Sequence, residues 1–108
     1  MKSELLDKGR SVLVLIDFQE RLVSNVHESQ SMLARVDLLL FAAGLLHVPV
    51  LLTEQYPKGL GGTIERIRKA IPHVHPLEKM SFSCLAASDF KEWLASFRRD
   101  QILLAGIE

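Results

Sequence analysis

The chain has 108 residues with 13 basic and 13 acidic side chains, so no net field is available to hold nucleic acid or an anionic membrane. At 48% hydrophobic residues it carries the apolar surface to offset ordering entropy, and its length fits one domain at most. A single cysteine excludes an internal disulfide, the N-terminus "MKSELLDKGR" lacks the apolar core of a signal peptide, and "LLLFAAGLLHVPVLL" is broken by His47 and Pro49 before it could span a bilayer. A cytoplasmic globular chain is the expectation.

"SVLVLID", residues 11–17, is a β-branched and leucine run without alternation, the pattern of a strand covered on both faces in a parallel sheet. "SQSMLARVDLLLFAAGLLH" follows, with Met32, Leu33, Val36, Leu39, Leu40, Ala43 and Leu46 at spacings of three and four. This is an amphipathic helix, with Ser29 or Ser31 as N-cap and Gly44 near its end. "VPVLLTE", residues 48–54, reads as a second buried strand with Pro49 at its start. "QYPKGLGG" is turn-rich, and "TIERIRKAI" is a short helix closed off by Pro72. "HVHPLEK" is extended, "AASDFKEWLASF" carries Phe90, Trp93, Leu94 and Phe97 on one helical face, and "QILLAG" is a last buried strand. Strands alternating with helices predict an α/β chain, a Rossmann-like three-layer α/β/α fold with a mainly parallel sheet and right-handed crossovers. No linker or repeat divides it. Nothing follows the last strand to cover it, so the fold reads as incomplete at the C-terminus, with apolar surface left beside that strand.

Asp17 ends the first strand, at the carboxyl edge where an open α/β sheet collects its ligands; a turn or helix-cap role fits it as well. Lys79 in "LEKMSFS" is, taken alone, better read as a solvated surface residue. Glu54 and Gln55 share the edge with Asp17 and could organise a site or cap a loop. "KGLGG" lacks both the ending of a P-loop and the spacing of a dinucleotide fingerprint, which leaves its glycines as backbone freedom for a tight loop. His73 and His75 would share one face of a strand, but no further histidine or cysteine cluster stands near them, so no metal is expected. His27 and His47 read as helix-flanking residues. Cys84 could be activated by a helix start, yet free cysteine is also among the most buried residue types.

In order, "VLVLIDFQERL", "VPVLLTEQYPKGLG", "EKMSFSC" and "ILLAGIE" resemble the isochorismatase-like cysteine hydrolases, most closely the branch called isochorismatase domain-containing proteins. The resemblance runs from about residue 11 to the last residue, and it implies that residues 1–108 are the N-terminal part of one such domain. It also implies a triad of aspartate, lysine and cysteine. The aspartate matches Asp17 and the lysine Lys79, while the cysteine comes about four positions past the glutamate of "GIE", beyond Glu108. Cys84 falls where relatives commonly carry methionine, which favours the buried reading.

By that resemblance Asp17 takes the thiol proton, while Lys79 stabilises the charged state and orients the substrate carbonyl. The thiolate attacks a small amide or related carbonyl compound to form a thioester. Gln19 and Tyr56 match positions lining the family pocket, and Glu54 and Gln55 are grouped with them as substrate-binding. Backbone N–H groups after the last strand supply an oxyanion hole, and a non-proline cis bond between Ile107 and Glu108 is implied in that turn. The metal-binding amidases of the wider superfamily place an aspartate and two histidines after the second strand; "TEQYPKGLG" has no histidine, so neither zinc nor any other cofactor is implied. The expected partners are a small-molecule substrate and further copies of the chain. Alanine at Asp17 or Lys79 is expected to abolish turnover and leave the fold. A non-catalytic truncated chain, or a binding and assembly module, is the competing reading.

Overall fold

Ser11–Ile16 form strand β1, and five of its six residues are buried, because helices cover both faces of the sheet at this point. The structure is a computed structural model that describes residues 4–86 and 89–107. After β1 come a single helical turn, α1 (Glu20–Val23), and the long helix α2 (Ser29–Leu45). Strand β2 (Val50–Gln55) follows, then a second single turn, α3 (Pro57–Leu60), and α4 (Glu65–Ala70). The last third holds β3 (Leu77–Lys79), a 3₁₀ turn (Cys84–Ala86), α5 (Phe90–Ala95) and β4 (Gln101–Gly106).

The four strands form one all-parallel sheet in the order β3-β2-β1-β4. Leu13, Leu15 and Leu52 pack on one face against Leu33, Val36, Leu40 and Ala43 of α2 and against Ile67 of α4. Val12, Val14 and Leu51 pack on the other face against Phe90, with Trp93, Leu94 and Phe97 beside it. Right-handed crossovers demand this split: the chain moves outward from β1 to β3 over one face and returns to β4 over the other. Complete burial of each such aliphatic side chain contributes about 1.5–3 kcal/mol. The Rossmann-like α/β class read from the sequence is therefore the fold observed.

Local details depart from expectation. Neither Ser29 nor Ser31 caps α2. Ser29 is its first helical residue, and Glu28 stands before it in the left-handed region at φ 53° with no side-chain cap. The other end closes well: His47 adopts φ 56° and the N–H of Val48 reaches back to the Ala43 carbonyl at 2.9 Å, the geometry of a left-handed helix stop. The turn-rich stretch contains α3, and the extended segment pairs only over Leu77–Lys79, so exposed His73 and His75 never share a strand face. The helix expected from Ala86 spans Phe90–Ala95, and Ala87 and Ser88 lie outside the described residues.

β4 is a strand, as expected, but not a buried one. Its Leu103 and Ala105 face α2 and are partly covered, whereas Ile102 and Leu104 face the other way, Ile102 half exposed and Leu104 largely open. The sheet has no element over that strip among the described residues.

Candidate active site

β1 delivers Asp17 to the carboxyl edge of the sheet in a left-handed conformation, φ 59°, which aspartate tolerates better than most residues. Its side chain is fully buried, and so is that of Lys79, the last residue of β3, two strands away. The ammonium spans the gap and donates to Asp17 Oδ2 at 2.9 Å. Thr53, on the strand between them, donates its hydroxyl to Asp17 Oδ1 at 2.9 Å. Lys79 Nζ also donates to the carbonyls of Ser81 and Phe82, each at 3.1 Å. All three ammonium protons are thus engaged, and both carboxylate oxygens have a donor. Desolvating two charges costs several kcal/mol per ion, and only this completeness makes such a pair tenable. The surface position that Lys79 suggests by itself is wrong, because its partner lies 62 residues away in sequence and cannot be seen locally.

Gln19 and Glu54, expected to line a pocket, are spent on the backbone instead. Fully buried Gln19 accepts from the Gln55 N–H at 2.7 Å and donates to the Gln55 and Gly61 carbonyls at 2.8 Å each. Glu54 Oε2 accepts from the backbone N–H and the hydroxyl of Thr63, at 2.6 and 2.7 Å. These two side chains pin both ends of the loop after β2, so of the readings open for Glu54 the loop-holding one matches the contacts. Gln55 differs: its Oε1 is buried without a partner, alone in this respect among the side chains of the described residues. Tyr56, at φ 38°, donates its N–H to the Lys79 carbonyl at 2.9 Å and leaves its ring half exposed. The ring lies so close to Gly59 that a Cβ there would stand 2.3 Å from it.

β4 ends against the same site. A Cβ on Gly106 would come within 2.6 Å of the Ile16 carbonyl oxygen, and the N–H of Ile107 donates to that oxygen at 3.2 Å. The chain leaving β4 therefore passes directly beside the residue preceding Asp17. Glu108, and with it the expected cis bond from Ile107, lies outside the described residues. An open cleft of about 460 Å³, lined by Phe18, His27, Arg35, Ala105 and Gly106 among others, borders this edge on the α2 side.

Cys84 sits in the 3₁₀ turn just past the carbonyls that hold Lys79, and packs partly buried against the cluster of Val12, Val14, Leu51 and Phe90. Burial pushes its thiol pKa up; Asp17 adds to that, while Lys79 opposes it. A thiol kept protonated behaves as a small apolar residue, here half-covered rather than enclosed. Sequence reasoning missed Thr53 and Thr63. The signal for Thr53 was its place in "LLTEQ", the first polar residue to end an apolar strand beside the one that ends in Asp17.

Fold and site together define a parallel α/β domain with a saturated aspartate–lysine pair at the carboxyl edge of the sheet, its Asp17 at the end of β1, beside which strand order reverses toward β4, the place where such sheets build their sites. The isochorismatase domain model matches residues 11–108, and the chain belongs to that family. It is 36% identical over 104 residues to isochorismatase domain-containing protein 2 of Danio rerio, a match covering 96% of this chain and 51% of the relative. Among solved structures, the MAR1 ribonuclease of Caenorhabditis elegans superposes with a TM-score of 0.82 at 27% identity, over 94% of this chain and 52% of that one. The YcaC gene product of Escherichia coli, an octameric hydrolase of unknown specificity, superposes at 0.89 with 22% identity, over 99% and 55%. The chain spans about half the length of the relatives it matches.

Proposed function

We propose that this chain supplies the acid–base half of a cysteine hydrolase site that acts on a small amide or related carbonyl compound. The observation that carries the reading is the buried pair of Asp17 and Lys79, held by Thr53 at the carboxyl edge where β4 also ends. The nucleophile is the cysteine that the family resemblance puts about four positions past "GIE". Asp17 takes its S–H proton, sulfur bonds to the carbonyl carbon, and the C–N bond breaks as the leaving nitrogen receives that proton. Water then cleaves the thioester to give the acid and regenerate the thiol.

Lys79 has no N–H left for a substrate oxygen, so its part is to hold Asp17 and the loop at Ser81 and Phe82. The carbonyl is left to the backbone N–H groups after β4. Gln55, with an unpartnered buried oxygen, is the best placed of the pocket residues to accept from a substrate amide. No metal or other cofactor takes part, and further copies of the chain complete the assembly, as in the octameric YcaC product.

The test reads the coding sequence past Glu108 and screens the encoded polypeptide against small amides, scored by mass for a covalent thioester. An adduct that disappears in Asp17→Asn supports the assignment. Undiminished turnover in that variant removes Asp17 as the base, and a stop codon directly after Glu108 would leave the non-catalytic module as the reading.

A further inference from the structure

Residues 38–46, the last turns of the long helix and its C-cap Leu46, read "LLLFAAGLL", with no polar side chain on any side. Leu40 and Ala43 account for the buried side. On the opposite side Leu38, Phe41 and Leu45 stand 69%, 67% and 65% exposed, a stripe at spacings of three and four. A helix that is apolar all round is a buried helix, so something must cover this stripe.

Extension of the sheet cannot do it. A right-handed crossover leaving β4 for a strand on its open side puts its helix on the α5 face, over Ile102 and Leu104. The outer side of α2 lies in the other layer. α4 already flanks α2 through the Arg66–Asp37 pair at 2.6 Å, leaving the stripe beyond it bare.

We infer that the outer face of α2 is a two-fold interface between copies of this chain, with two α2 helices packed antiparallel and Phe41 near the axis. The proposal builds on the assembly part of the functional reading and is independent of its chemistry. The stripe is nearly symmetric about its own middle: with the axis passing between Phe41 and Ala42, Leu38 of each helix meets Leu45 of the other. That reciprocity is what a two-fold contact requires. No charge interrupts the stripe, so stacking it on itself sets no like charges together; a partner of different chemistry would call for a complementary polar rim that residues 38–46 do not offer. Three side chains alone fall short of the roughly 800 Å² each partner gives to a standard interface. The adjoining apolar groove, lined by Leu6, Leu39, Ala42, Leu46 and Leu103, extends the patch.

Sedimentation and covalent capture test this without any assay of activity. The wild-type chain should sediment as an even-numbered assembly, and Phe41→Glu, at an exposed position, should halve its mass or more while keeping the far-ultraviolet spectrum. Leu104→Glu, on the bare strip of β4, should leave the mass unchanged. In a Cys84→Ser background, Phe41→Cys should oxidise to a disulfide-linked dimer far faster than Glu92→Cys on α5. The proposal is overturned by a monomeric wild type, by Leu104→Glu rather than Phe41→Glu dissociating the assembly, or by equal crosslinking of the two cysteine variants. Failure of the thioester screen would leave all four results standing.

Discussion

At the carboxyl end of the sheet Lys79 and Asp17 meet at 2.9 Å with neither side chain exposed; at the amino end Arg10 and Asp100 meet at 2.6 Å with side chains 45% and 66% exposed. Both pairs join residues from separate strands or their immediate ends, and the exposed one has the shorter contact. Distance therefore says little about what each does. Water already solvates Arg10 and Asp100, so their attraction is screened and adds little. Lys79 and Asp17 have lost that water and depend wholly on each other, on Thr53 and on two carbonyls. One end of the sheet is tied at the surface; the other is committed in its interior.

The sharpest way to break this contrast is Lys79→Ala. It leaves Asp17 charged, buried and short of its main partner, and should cost about 3–5 kcal/mol in urea-induced unfolding. That replaces the expectation that alanine at this position spares the fold, and a loss below about 1 kcal/mol would show that water reaches the site. Thr53→Val removes one hydrogen bond to a charged group at nearly constant shape, so the expected loss is smaller, about 1.5–3 kcal/mol in the same measurement. Thr53→Ser should recover much of it.

Asp100→Asn should change stability least. Its partner Arg10 holds the Asp100 carboxyl below the usual carboxylate range, so the pair's contribution is present above that range and fades as acid protonates Asp100. Wild type and variant should thus differ slightly near neutral pH and converge in acid; a gap that widened on acidification would contradict the pairing.

The strands were legible because burial on both faces writes itself as an unbroken aliphatic run, and "SVLVLI" and "VLLTEQ" show it. The site was legible only in part. Asp17 could be placed at the sheet edge from the length of its strand, but the burial of Lys79 rests on a carboxylate far away in sequence. Gln19 and Glu54 misled for a related reason. Their partners are backbone groups of Gln55, Gly61 and Thr63, which look alike in any sequence. The first turn of α2 shows the limit of local rules, since serine is the better cap and Glu28 nonetheless holds the position.

The pins at Gln19 and Glu54 also bear on how the domain can change. They close the loop from Glu54 to Thr63 at its base, leaving α3 as a surface excursion between fixed points. Lengthening such a loop costs only about 0.6 kcal/mol per doubling, and the sheet beneath would not register the change. Insertions and deletions in relatives should therefore gather between Tyr56 and Leu60, where length can drift while the buried pair keeps its place.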